Sequence, residues 1–441
     1  MKVGLRWGLL TALLVACGDD GIGGAGGEGG QPEGGGAQGG GIEGGGGGSS
    51  LFECALATLD EPLCEGAGCP LSGMGRIACS ERNFFTQVEN APDGSPVLLL
   101  DPAAYGASLY LAETSASLVT ELADVPPHAV LSTNADGDAF VSYVPLDVPM
   151  PWFYRPIGAA EEEITNERAA YWVPRGLELT GDEVLALALK GTDSGVERLV
   201  FATRAADGTW TTEELADDYP WFMSLSLADD GTPVIGYRDN AHHPVVRVGD
   251  GPTEAIAMAD ASASWNGLTI IPGASSWAAA LYQAADGIVV SRPAVAPVLA
   301  TDFPSLLYPT CEAPTDGVCS GNCAEIGNGV TSSLSGALIP GGLLVMFTQQ
   351  SVNRAGHFEE GECTEAGCPC SFVVDDEGSS SALVLTRLDD GSDALAEIGR
   401  FDLGAGVEPV QLDAEARAGV VAFALTRLGE VLYGTIDVDA L

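Results

Sequence analysis

The chain has 441 residues, in which 18 Lys and Arg face 62 Asp and Glu, for a net charge of −44. So acidic a surface repels phosphate backbones, which excludes nucleic acid as a partner and disfavours anionic lipid surfaces. Cations, basic proteins and neutral glycans stay open, and strong self-repulsion favours a soluble monomer.

Residues 1–16 read as an export signal. Lys2 and Arg6 supply the positive end, and 9–15 form an apolar core too short to span a bilayer. The stretch Leu14-Val15-Ala16-Cys17 resembles the lipobox of bacterial lipoproteins. That resemblance implies cleavage before Cys17 and acylation of Cys17, which anchors the chain to a membrane; multiple acyl chains hold stably where one does not. Gly18, rather than Asp, follows Cys17 and resembles the outer-membrane sorting pattern. The expected address is therefore an outer-membrane-anchored envelope lipoprotein, on either side of that membrane.

Residues 18–50 are almost all Gly, broken by Asp, Glu, Gln and Ala. Together with Cys17 they form a disordered linker with a span of roughly 30 Å. Residues 51–83 carry Cys54, Cys64, Cys69 and Cys79. In an exported chain these read as two disulfides, with three possible connectivities.

From residue 84 to 441 a strand–turn–strand pattern recurs. Its clearest copy is 224–239, SLSLADDGTPVIGYRD, two short strands reversed through Asp229-Asp230-Gly231-Thr232. Other copies turn at Asp93-Gly94, at 134–137, at 180–182, at Pro272-Gly273, at Gly341-Gly342 and at Ala418-Gly419. Strands flanking such turns are a strong hairpin signal. The second strands, aligned on Val97, Phe140, Leu185, Val234 and Ala278, are 43, 45, 49 and 44 residues apart. That is the period of a four-stranded propeller blade. Longer steps to Leu343 and Val420 bracket insertions near 305–330 and 350–371, which hold Cys311, Cys319, Cys323, Cys363, Cys368 and Cys370, expected as three further disulfides. The expected fold is an all-β propeller of seven blades, with six and eight as alternatives. The last blade lacks a fourth strand, which residues 75–79 can supply to close the ring.

Blade geometry assigns loops to faces. With strands A to D numbered outward, the A–B and C–D turns share one face, and the D–A and B–C loops share the other. Short Asp-Gly turns fall on the first face as tight reversals; a structural calcium at Asp229-Asp230 would be the only cofactor. The second face receives the unusual residues. Trp152, Tyr154 and Arg155 follow the Pro-rich loop 145–151, Tyr219 and Trp221 lead into the fourth blade, and Arg238, Asp239, His242 and His243 form its B–C loop. Trp172 and Trp265 stand before the third and fifth blades; packing between blades is their competing role. His242 and His243 are adjacent, so on a strand they point oppositely and make a poor metal pair. No metal site and no catalytic residue is assigned, since no nucleophile–base motif is present.

The turn spacing of ADDGTPVIGYRD and ADGTWTTEEL resembles bacterial lipoproteins with sialidase-like propeller repeats, over roughly 84–441. The resemblance implies a propeller. The sialidase Asp-box itself is not matched, because Asp207 directly precedes Gly208 and no serine stands two positions before it. Three functions follow: a non-enzymatic binder of a glycan, peptide or protein, for which aromatic rims suit; a polysaccharide hydrolase or lyase using Asp239, Glu359, Glu360 or His243; or a structural envelope lipoprotein.

Overall fold

The computed structural model describes residues 53–59, 63, 64, 69–80 and 84–441, apart from short stretches of which 305–321 is the longest. The signal peptide, Cys17 and the Gly-rich linker lie outside these residues.

Ahead of the first repeat come β1 (Cys54–Ala57) and β2 (Leu71–Cys79). Blade 1 is β3 (Phe84–Asn90), β4 (Pro96–Pro102), β5 (Leu109–Glu113) and β6 (Leu118–Leu122). Blade 2 is β7 (Val130–Thr133), β8 (Ala139–Tyr143), β9 (Met150–Pro156) and β10 (Glu162–Ala169). Blade 3 is β11 (Tyr171–Thr180), β12 (Glu183–Gly191), β13 (Glu197–Arg204) and β14 (Trp210–Asp217). Blade 4 is β15 (Ser224–Leu227), β16 (Pro233–Arg238), β17 (Pro244–Val248) and β18 (Thr253–Ala255). Blade 5 is β19 (Trp265–Pro272), β20 (Trp277–Ala284), β21 (Gly287–Ser291) and β22 (Val298–Ala300). Blade 6 begins with two collinear segments, β23 (Asn322–Val330) and β24 (Ser335–Ile339), both paired to β25 (Gly342–Glu360), followed by β26 (Cys370–Asp389) and β27 (Ala396–Ala405). Blade 7 is β28 (Pro409–Arg417), β29 (Val420–Arg427) and β30 (Glu430–Asp437), completed by β2 and then β1.

All pairings are antiparallel meanders except at the closure, where β2 adds to β30 with Arg76 opposite Leu432 and Ile77 opposite Val431. The expected seven blades and the N-terminal closing strand are both present; the strand is longer than 75–79. Cys54 and Cys79 face each other across β1 and β2 and are bonded, and Cys64 is bonded to Cys69. Of the three connectivities the chain uses the nested one. Pairings of the six later cysteines lie outside the described residues.

Each seam between consecutive blades holds its own apolar cluster, and there are seven of them. Leu185, Leu187 and Ile235 fill the seam of blades 3 and 4, for example, and Val88, Leu98, Ala422 and Ala424 that of blades 7 and 1. A blade strand is buried on both faces by its two neighbours, which explains the near-continuous apolar runs of β4, β12 and β29. Some of the chain's scarce cations bridge these seams. Arg204 holds Glu162 of the preceding blade bidentately, through Nε at 2.7 Å and Nη2 at 2.9 Å. Arg247 reaches Glu213 at 2.8 Å, and Lys190, 7% exposed, pairs with Glu167 and with Glu214 at 3.1 Å.

The Asp-Gly turns are structural, as expected. Gly231 has φ +84°, in the left-handed region that glycine reaches without strain. The backbone N–H groups of Asp229 and Asp230 donate to the carbonyls of Gly273 and Ala274 in the next blade's turn, and Asp230 accepts the N–H of Thr232. The Thr232 hydroxyl first, and its N–H second, hold the Asp230 carboxyl below its usual range.

Candidate binding face

Strands A and C run away from the loop-rich face, and strands B and D run toward it. That face therefore collects the ends of β4, β8, β12, β16 and the starts of β7, β11 and β23.

Its largest feature is an arm. In blade 6 the pairing of β25 with β26 continues without interruption from Gly342 opposite Asp389 to Glu360 opposite Cys370, with one register shift. β23 lies along the same extension, from Val330 opposite Gln349 to Asn322 opposite His357. The insertions near 305–330 and 350–371 are thus partly regular strand rather than loop. At ~3.4 Å per residue, the ten residues after Gln350 add roughly 30 Å of strand to this edge of the face. Phe358 is buried within the arm, while Val374 is exposed on it.

The sequence-proposed residues fall in different places. Trp152, Tyr154 and Arg155 do not form a rim: they are 0%, 5% and 8% exposed. Trp152 stacks on Trp172 at 5.3 Å and donates from its indole N–H to Ser142 at 2.7 Å. Tyr154 packs against Phe140 and Trp210, and burial pushes its hydroxyl up to about 12. The guanidinium of Arg155 lies over the Tyr143 ring, 5.6 Å from its centre. These side chains fill the interior of blade 2 and its seams, because a strand C residue that is exposed in an isolated hairpin is covered by the neighbouring blade. Trp172 takes the between-blade role.

Arg238 is half-buried at the end of β16. Asp239 closes the loop after it: its Oδ1 accepts the N–H groups of Ala241 at 2.9 Å and His243 at 2.8 Å. The exposed His243 ring stands 4.0 Å from Oδ2. This is an Asx-type turn, and it engages one of the two carboxylate oxygens. Tyr219, Trp221 and His242 lie outside the described residues, as do the side chains of Trp265, Glu359 and Glu360. Among the described residues no group of three or more His, Cys, Asp or Glu is placed to hold a metal ion.

A cluster on the same face escaped the sequence reading. Phe85 and Asp101 are directly opposite in β3 and β4. Asp101 is buried, yet its Oδ2 accepts the N–H of His128 at 2.7 Å, and burial pushes its carboxyl up to about 7. His128, in the loop entering blade 2, has φ +69°, an uncommon conformation for a side chain with a Cβ. Partial burial and the guanidinium of Arg175, on strand A of blade 3, hold its imidazole below the ordinary value. A second group of acids lies along the inner strands: burial and the charges of Glu415, Glu178 and Asp413 raise the Glu89 carboxyl well above its usual range.

No protein-family model matches the chain, and no curated protein matches it. Solved structures do. The β-propeller domain of the Trilobed protease from Pyrococcus furiosus aligns at 12% identity over 80% of this chain and 93% of that one, with TM-score 0.40. The WD40 domain of SCAP from fission yeast aligns at 8% identity over 88% and 99%, TM-score 0.37. The Hadza microbial sialidase aligns at 11% identity over 79% and 75%, TM-score 0.37. The likeness is one of propeller fold, shared by binding domains and hydrolases, and the activities of those proteins do not transfer with it.

Proposed function

We propose that the chain is a lipid-anchored binding propeller of the cell envelope, held at Cys17, with residues 18–50 as its tether and its loop-rich face turned to a glycan, peptide or protein partner. The observation that carries this reading is the blade 6 arm. A propeller ring is complete without it, and six of the seven blades have strands of ordinary length. Lengthening three strands on one face alone raises a wall beside the channel mouth, and such an addition serves recognition rather than closure. On the turn face, by contrast, the blade 4 turn is bonded to that of blade 5.

The test compares cells making the full chain with cells making an arm-trimmed variant. Residues 354–377 are replaced by Asn-Gly, joining the register partners Asn353 and Gly378 by a two-residue hairpin turn. Cys311, Cys319 and Cys323 are changed to Ser so that no thiol is left over. Both chains are expected in the membrane fraction and folded. Cross-linking to envelope proteins and binding to a panel of neutral glycans should be lost only in the trimmed chain. Full retention of partners after trimming sinks the assignment of this face, and a soluble full chain sinks the anchor.

A further inference from the structure

The mouth of the channel beside blades 1 to 3 holds a carboxylate that the fold does not satisfy. Asp101 is 7% exposed. Its Oδ2 takes the His128 N–H, but its Oδ1 is buried with no hydrogen-bond partner among the described residues. A buried acceptor without a donor costs free energy that a ligand's donor can restore. Phe85, its direct cross-strand neighbour, leaves the sheet on the same side, as opposite residues in an antiparallel pair do. The Phe85 ring is 38% exposed, an apolar surface left in water beside a carboxylate. The His128 imidazole stands with Nδ1 3.9 Å from Asp101 Oδ2 and its side chain is 42% exposed, so the ring is a mobile neighbour of the carboxyl group. Arg175, on β11, lies close enough to His128 for its charge to act on the imidazole; the residue keeps surface in water while its guanidinium is partly desolvated by the surrounding protein.

An acidic, an apolar and a basic side chain are thus grouped about Asp101 and His128. We propose that Phe85, Asp101 and Arg175 form a recognition site for an α-ammonium group flanked by a carbonyl and an apolar side chain, as carried by a free apolar amino acid or by the N-terminus of a peptide. Asp101 Oδ1 accepts from the ammonium, in a charge-assisted bond stronger than a neutral one. Phe85 covers the apolar side chain, and Arg175 donates to the carbonyl or carboxylate oxygen. A hard metal ion fits worse, because it takes several oxygen ligands and Asp101 offers one. The site shares the loop-rich face with the binding reading above but uses none of the arm.

The experiment is calorimetric titration of the full chain with L-leucine, with Leu-Gly-Gly and with N-acetyl-Leu-Gly-Gly. Leucine or Leu-Gly-Gly is expected to bind, and which of them binds tighter separates the amino acid from the peptide terminus. The acetylated peptide, which lacks the charge, should bind roughly tenfold weaker or not at all. Asp101→Asn keeps the side-chain volume and an acceptor for His128, and should lose binding by a similar factor; Phe85→Ala, at an exposed position, should weaken it several-fold. The arm-trimmed chain should bind the small ligands as the parent does, so this site and the arm stand or fall separately. Absence of binding by both free-amine ligands, equal binding of the acetylated peptide, or unchanged affinity in Asp101→Asn overturns the proposal. If Asp101→Asn fails to fold, unchanged affinity in Phe85→Ala does so.

Discussion

Blades 2 and 3 meet through rings: Trp152 on Trp172 and Tyr154 on Trp210. Blades 7 and 1 meet through a ladder of polar side chains on a bare strand edge. Gln411, Asp413 and Glu415, alternate residues of β28, accept the backbone N–H groups of Thr86, Val88 and Asn90, alternate residues of β3. Asn90 returns a bond from its side-chain amide to the Glu415 carbonyl at 2.7 Å. The inner strand of any blade exposes an unpaired edge to the channel, and an unpaired edge invites wrong partners. At the closure the neighbouring inner strand's side chains occupy it. The aromatic seam draws strength from area, whereas the polar seam draws register: only a β28 aligned to the residue fits three acceptors to three donors. That is an apt division, because the facing inner strands of blades 7 and 1 stand 325 residues apart in the chain, whereas blades 2 and 3 follow one another directly.

Three substitutions separate these roles. The largest effect is expected at the aromatic seam. Trp152→Ala removes a fully buried ring and leaves a cavity, at a cost of ~3–5 kcal/mol, read by chemical denaturation; a loss under about 1 kcal/mol would mean that the two blades collapse onto the gap. The second acts on the polar seam alone, through pH. Burial, outweighing the bonds from the N–H groups of Val88 and Ala414, pushes the Asp413 carboxyl up to about 6, above the ~3.9 of an unfolded aspartate. The folded chain therefore holds this proton more tightly. The stability it confers is full below about pH 4, falls as pH rises toward 6 and is gone above it. At ~1.4 kcal/mol per pKa unit the effect reaches at most about 3 kcal/mol. Denaturation midpoints at pH 5 and pH 8 should differ less in Asp413→Asn than in the parent. An equal difference would show that the seam does not sense pH, and Trp152→Ala should leave the difference unchanged. The smallest effect belongs to Gln411→Ala, which frees the Thr86 N–H at the cost of about 1 kcal/mol. Amide exchange at Thr86 that stays as slow as at Val88 would remove Gln411 from the ladder.

Much of the ring was legible because blade hairpins announce themselves locally. The left-handed glycines at 94, 137, 208, 231, 391 and 419 all sit in turns whose flanking strands alternate or run apolar. The closing strand was legible by elimination, since blade 7 was one strand short. The arm was not. Its strands, SVNRAGHFEE and CSFVVDDEGSS, mix polar and apolar residues without a regular alternation, and their order comes from continuing the register of Leu343 to Gln350, a property of the hairpin as a whole. Trp152 was misread for the opposite reason: a Pro-rich loop before a run of aromatics looks like a rim, and only the adjacent blade makes it core. Asp101 ends the apolar strand PVLLLDP and reads as the first residue of a loop. A carboxylate closing an otherwise buried strand was the one available hint, and without the position of His128 it named no partner.

The closing pair also sets a schedule. β2 leaves the ribosome among the first folded residues, and its partner β30 among the last, with six blades between them. Local hairpins can form as they appear, but this contact spans some 360 positions and must wait for Asp437, which places the chain among slow, high-contact-order folders. Until then β2 lacks its partner in blade 7, and a truncation of the last strand alone would leave the first without one.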